Sequence, residues 1–233
     1  MTAASPDDAI ATVITRSRCL LLDFDGPICD IYAGLPDVVV ADRLRKLITG
    51  QSITLPAEIT LTPDPLAVFG YAATVSSDLA ARVEAEMTEQ ELAAVHTARP
   101  TAYVHDVMTS CHESGRAVAV VSNNSQRAVR AYLELHSLDD RVDLISARGS
   151  SDPATLKPSP HLIQQAMHGL GATPADCVLV GDSTTDIHAG KSSGVDTIGY
   201  ANRPGKNDTL RTAGATVIVT SLADLVLPLR ATR

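Results

Sequence analysis

Asp23 and Asp25 stand either side of Phe24 at the end of an apolar run, Cys19-Leu20-Leu21-Leu22, with Gly26 behind them. If that run is a strand, alternate residues point the same way, and both carboxylates emerge together at its carboxyl end. Two like charges held so close are costly unless a cation or a shared proton compensates. Three further stretches carry polar side chains at comparable places: Ser122-Asn123 after AVAVV, Lys157 in LKPSP, and Asp182 with Asp186 in VLVGDSTTD. Asp23, Asp25 and Asp182 are hard oxygen ligands of the kind Mg²⁺ takes. With a cation bound, a carboxylate can attack a phosphoryl centre and form an aspartyl-phosphate. A second carboxylate nearby can divide the roles of nucleophile and acid/base. Ser122, Asn123 and backbone amides could hold phosphate oxygens, and Lys157 could neutralise them, which is most of what phosphoryl transfer needs.

Each piece alone has a plainer reading. An aspartate at a strand end can cap a turn. Ser122-Asn123-Asn124 reads equally as a turn and N-cap. Lys157 alone is a solvated lysine, and Asp182-Ser183 with Asp186 a helix cap and a first-turn acid. Against four separate coincidences stands their common position, each at the end or edge of an expected core element.

The elements that must place these groups follow from hydrophobic patterning. Residues 1–16 are a polar lead-in with a short helix. Apolar strands are expected at about 18–24, 117–121, 142–146, 177–180, 195–199 and 216–219, separated by helices at 102–113, 125–136, 158–169, 183–191 and 206–213, with a last helix from Ser221. Near-continuous apolar strands alternating with helices argue for a parallel α/β sheet covered on both faces. Asp30 to Gly34 reads as a flexible exit. Between about 31 and 99 no convincing strand is expected; helices are expected at 36–48, 65–74, 77–87 and 88–98, with loop and short pieces where Pro56, Pro63 and Pro65 interrupt. Ser77 and Thr88 are the expected N-caps, the second through the capping-box pattern Thr88-Glu89-Gln90-Glu91.

The chain of 233 residues is long enough for one α/β unit with an insert. Only 3% of residues are aromatic and none is Trp, so Ala, Val and Leu must fill the core. A net charge of −8 argues against nucleic-acid or membrane-surface partners. Cys19, Cys29, Cys111 and Cys177 form no CxxC pair and read as reduced thiols, hence a cytoplasmic location. The first residues show no charged-then-apolar signal pattern, and no apolar run approaches a membrane span. The seven histidines show no metal-ligand spacing.

Taken in order, DFDGPICD, AVAVVSNNS, LKPSP and VLVGDSTTD resemble the four motifs of the haloacid dehalogenase superfamily, in particular its phosphatase-like members with a C1-type helical cap. The resemblance implies a Rossmann-like α/β core over 1–30 and 100–233, with the first strand central, and an inserted α-helical cap domain over 31–99. It implies that Asp23 is the nucleophile and Asp25 the general acid/base. Mg²⁺ would be held by Asp23, the backbone carbonyl of Asp25, and Asp182, with Asp186 ordering its water shell. Ser122 and Asn123 would bind the phosphoryl group, and Lys157 would link it to Asp23. Pro27 departs from the motif, where Thr or Val is usual, and implies a stiffer turn. The implied activity is a Mg²⁺-dependent phosphatase acting on a small phosphorylated metabolite. A sugar phosphomutase would use the same pair, and a catalytically degenerate member would only bind a ligand. A dehalogenase would lack the second Asp, and a phosphonatase would need a cap lysine, for which Lys46 is the candidate. Tyr32, Arg43, Arg45, Tyr71 and Arg82 are the cap side chains that could reach a substrate. Oligomeric state is not legible, and a monomer is compatible with everything above.

Overall fold

The computed structural model describes residues 6–230, so five residues of the expected lead-in and three at the end of the expected core lie outside the description. Helix α1 (Pro6–Arg16) precedes strand β1 (Cys19–Leu22), and a two-residue strand β2 (Cys29–Asp30) follows. Next come the helices α2 (Asp37–Thr49), α3 (Ala57–Leu61), α4 (Pro65–Val75) and α5 (Ser77–Val95), and then β3 (Arg99–Pro100). The remainder alternates: α6 (Val104–Glu113), β4 (Ala117–Ser125), α7 (Gln126–Leu135), β5 (Leu144–Arg148), α8 (His161–Leu170), β6 (Cys177–Gly181), α9 (Thr184–Ser192), β7 (Asp196–Tyr200), α10 (Lys206–Ala213), β8 (Val217–Val219) and α11 (Ala223–Arg230).

Six strands form one sheet in the order β5-β4-β1-β6-β7-β8, and every pairing in it is parallel. Strand β1 is central, with Leu22 level with Val120 on one side and Val180 on the other. Its alternate residues go to opposite faces. Leu20, Leu22 and Phe24 join the cluster under α1, α6, α7 and α11, while Cys19 and Leu21 join the cluster under α8. Burial on both faces explains why the strands read as unbroken apolar runs. The chain leaves β1 toward β4 on one side and returns to β6 on the other. The strand ends at that reversal form the crevice in which such sheets bind ligands.

Several elements differ from the sequence expectation. Two helices expected at 77–87 and 88–98 are one, α5, capped by Ser76, whose hydroxyl accepts from the Leu79 amide at 3.1 Å. Nothing between Met87 and Thr88 breaks a helix, and Thr88 caps nothing: its hydroxyl donates back one turn to Glu84 at 2.8 Å. The expected flexible exit is partly a strand, because Cys29 and Asp30 pair antiparallel with Pro100 and Arg99. That pairing brings the two ends of the helical insert together. Strand β4 runs on through Ser125, with a register irregularity against β5 between Ser122 and Ser125, which re-aims a strand end as bulges do. The four cysteines are buried and form no disulfide.

Candidate active site

The strand–turn after β1 is shaped by Phe24. Its ring is fully buried and packs edge-on against Tyr132, with centroids 5.2 Å apart and planes at 81°. Anchoring Phe24 inward turns Asp23 and Asp25 the other way, toward the crevice. Gly26 follows with φ +109, a region open to glycine at little cost. A Cβ there would lie 2.4 Å from the Asp182 carboxyl carbon, so the small residue also lets Asp182 close over the turn. The Gly26 carbonyl accepts from Thr101 at 2.6 Å, and the Ile28 amide donates to Phe24 at 3.1 Å. Pro27 is accommodated within this turn.

Lys157 is the hub. Its ammonium lies 2.8 Å from Asp23 Oδ1 and 2.6 Å from Asp186 Oδ1, and donates to the Val121 carbonyl at 2.9 Å. Asn123 fixes the backbone that carries it: its side chain accepts from the Lys157 amide at 2.8 Å and donates to the Lys157 carbonyl at 3.1 Å. The Asn123 side chain is thus engaged with Lys157, whereas Ser122 Oγ accepts from the Asn124 amide and donates to Asn124 Oδ1, each at 3.1 Å. Asp186 Oδ2 accepts from the Ser183 amide at 3.0 Å and from its hydroxyl at 2.6 Å, and the Asp186 amide donates back to Ser183 Oγ at 3.2 Å, the reciprocal capping box that starts α9. Gly181 has no room for a side chain: a Cβ would lie 2.3 Å from that of Asp186.

The electrostatics follow from burial. Desolvation, then the Asp186 charge, push the Asp23 carboxyl well above its ordinary range despite Lys157. Burial would lower Lys157, but Asp186 and Asp23 outweigh it and hold the ammonium charged. Burial likewise opposes ionisation of Asp186, and Lys157 overrides it, leaving that carboxyl depressed. Asp25 is pushed up to about 7 by burial, against the pull of the Ile31 amide, which donates to it at 3.1 Å.

Asp23, Asp182 and Asp186 each bring a carboxylate oxygen within 4.8 Å of the others. Asp186 already spends both oxygens on Lys157 and Ser183, so Asp23 and Asp182 are the two with one oxygen to spare. Asp182 uses Oδ2 to accept from Asn202 at 3.0 Å and from Lys206. This all-oxygen, carboxylate-rich set fits a hard divalent cation.

A cavity of about 220 Å³ opens above these groups. Asp23, Asp25, Ser122, Asn123, Lys157 and Asp182 all line it, so the six groups singled out in the sequence do converge, with Asp186 buried just beneath. Of the insert residues named as candidates, only Tyr32 lines it. Arg43 instead bonds Gln90, Arg45 donates to the Ile59 and Thr62 carbonyls, and the Tyr71 hydroxyl donates to Thr54. Arg82 lines a different cavity, and Lys46 is exposed and does not line this one. Sequence reasoning missed Asp37, Asp64 and Glu91 on the insert side. It also missed Asn202 and Lys206. Only an Asn in the loop after β7 and a Lys at the start of α10 hinted at the last two, since β7 neighbours β6.

Glu91 belongs to a second buried polar cluster. Arg148, at the end of β5, makes two hydrogen bonds to Glu91, at 3.0 and 2.8 Å, and one to Glu84 at 3.1 Å. Glu91 also accepts from Asn124 at 3.2 Å and from the Ser125 amide at 2.8 Å. This cluster ties α5 of the insert to the ends of β4 and β5.

The chain belongs to the family of haloacid dehalogenase-like hydrolases, whose pattern matches residues 20–200. It is 33% identical over 125 residues to a protein named pyrophosphatase PpaX from Halalkalibacterium halodurans, covering 53% of this chain and 56% of that one. It is 30% identical over 124 residues to a phosphoglycolate phosphatase of Salmonella typhi, covering 53% of this chain and 48% of the relative. The chain thus spans about half the length of the curated relatives it matches. A predicted phosphatase from Clostridium acetobutylicum shares the fold, with a TM-score of 0.69 and 18% identity over 90% of this chain and 96% of that one.

Proposed function

We propose that this protein is a phosphatase that hydrolyses a small phosphate monoester through an aspartyl-phosphate on Asp23. The observation that carries the reading is Lys157 bridging Asp23 and Asp186 at the floor of a cavity that Asp25 and Ser122 also line. The residue roles are assigned as follows. The Asp23 carboxylate attacks phosphorus. The Lys157 ammonium, held against Asp23, balances the phosphoryl charge, and the Ser122 hydroxyl donates to a phosphoryl oxygen once it turns from Asn124. Asp25, with its pKa near 7, protonates the leaving oxygen and then takes a proton from the water that cleaves the acyl phosphate. Asp23, the Asp25 carbonyl and Asp182 would hold Mg²⁺, which when bound supplies positive charge for the phosphoryl oxygens. Helices α2–α5 serve as the cap, hinged at the β2–β3 pair. The buried thiols support a reducing compartment. The phosphonatase reading loses its lysine, since Lys46 does not line the cavity.

Phosphate release from p-nitrophenyl phosphate with Mg²⁺ tests the assignment. The expected result is turnover in the wild type and a loss of at least about a thousandfold in Asp23→Asn, with the circular dichroism spectrum unchanged. Undiminished turnover in that variant would remove Asp23 as nucleophile.

A further inference from the structure

The two sides of the cavity differ in charge. The core side offers Lys157 and Ser122 to a phosphoryl group, so the leaving alcohol faces the insert. The insert contributes Tyr32, Asp37, Asp64, Pro65, Leu66 and Glu91 to the lining, and no Lys, Arg or His. Glu91 is neutralised by Arg148. Asp37 and Asp64 are not: Asp37 Oδ1 accepts only from the next amide, Val38, at 2.7 Å, and Asp64 Oδ1 caps α4 through the Leu66 amide at 2.8 Å. Both residues are exposed and line the cavity. The Tyr32 hydroxyl holds its proton, with burial and then the Glu91 charge pushing it up.

The cations that could answer a second anion are committed elsewhere or do not line the cavity. Arg45 is bonded to carbonyls of α3 and its exit and to Asp42, and Arg43 to Gln90. Lys206 is held on Asp182. Arg203 acts on Asp25 from the core loop and does not line the cavity. An anionic group on the leaving alcohol would therefore meet like charge without a partner, which selects against it. An ammonium or hydroxyl group would meet free acceptors. Pro65 and Leu66 give a short carbon chain an apolar wall, and about 220 Å³ is below the usual range for drug-sized ligands.

Building on the phosphatase reading above, we propose that the substrate is a short phosphate monoester whose alcohol carries ammonium or hydroxyl donors and no second anionic group. Asp37 and Asp64 are its specificity-determining residues.

Three esters of one skeleton test this: 2-aminoethyl phosphate, 2-hydroxyethyl phosphate and 2-phosphoglycolate, with pyrophosphate and p-nitrophenyl phosphate alongside. The expected kcat/KM for the amino and hydroxy esters exceeds that for phosphoglycolate and pyrophosphate by at least about tenfold, and the gap narrows as ionic strength rises. In the double variant Asp37→Asn, Asp64→Asn, where Asn still caps α4, the aminoethyl-to-glycolate ratio falls toward one. Phosphoglycolate or pyrophosphate turned over as well as the amino and hydroxy esters would overturn the inference. So would turnover of p-nitrophenyl phosphate with none of the three-ester set. Absence of turnover on every compound would overturn the phosphatase reading itself, and this one with it. The wild-type ratios decide the matter even if the double variant does not fold.

Discussion

Asp25 is held in a partly buried position where its carboxyl titrates near 7 instead of 3.8. The cause is desolvation, and the consequence reaches both catalysis and stability. Near neutral pH about half the molecules carry the proton a leaving oxygen needs. For stability, the folded state binds this proton more tightly than the unfolded chain does. Stability is therefore intact below about pH 4, falls as pH rises toward 7, and is flat above. The loss is up to about 4 kcal/mol, less to the extent that cavity water screens the carboxylate. In urea unfolding of protein kept metal-free with EDTA, Asp25→Asn should gain on the wild type between pH 5 and pH 8, with no further gain above. A difference independent of pH would mean that Asp25 is solvated like a surface carboxylate. Asp25 was legible in the sequence because it shares a strand end with Asp23. Its raised pKa was not, because that depends on how the cavity closes.

At the level of elements, β1 and α5 do contrasting jobs. Strand β1 places chemistry by period-two alternation, so a short segment reveals both carboxylates. Helix α5 places Glu84, Thr88 and Glu91 on one face, at spacings of four and three, to meet Arg148 from β5. The Arg148 side chain is fully buried and that of Glu91 is 1% exposed, so neither charge can be left alone. Glu91→Leu or Arg148→Met alone should each cost about 3–5 kcal/mol, because the remaining buried charge loses its closest opposite charge, Arg148 keeping only the more exposed Glu84 and Glu91 only the neutral donors Asn124 and the Ser125 amide. The double variant should recover at least about 2 kcal/mol of the summed loss, measured as a double-mutant cycle in urea. Additive losses would show that the two charges do not depend on each other. The sequence misled here for a physical reason. Thr88-Glu89-Gln90-Glu91 has the composition of a capping box, and only a residue 57 positions further on shows that Glu91 is needed inside. The core strands and their polar ends were legible because each is local. The fastening between insert and core, and the acidic rim of Asp37 and Asp64, exist only once distant segments meet.

Across the whole molecule, a net charge of −8 is not spread evenly. Asp23, Asp25, Asp182 and Asp186 converge where β1 and β6 end, against the buried Lys157 and, at Asp182, Lys206. Folding thus gathers a charge cluster that the unfolded chain does not have, and a divalent cation that binds only the gathered set must stabilise the fold. At a Mg²⁺ concentration about a hundred times its dissociation constant, the linkage is about 2.7 kcal/mol. For a chain of this size that raises the melting temperature by roughly 5–10 °C over protein in EDTA. Asp182→Asn removes a carboxylate that the cation would use, so its melting temperature should respond to Mg²⁺ far less. The contribution from Lys206 has the opposite sign: a lysine already on Asp182 competes with the cation, and Lys206→Met should sharpen the response. Thermal scans of the three proteins with and without Mg²⁺ separate these effects. An equal shift in wild type and Asp182→Asn would place the cation away from Asp182, and with it would go the reason for four carboxylates to share one crevice.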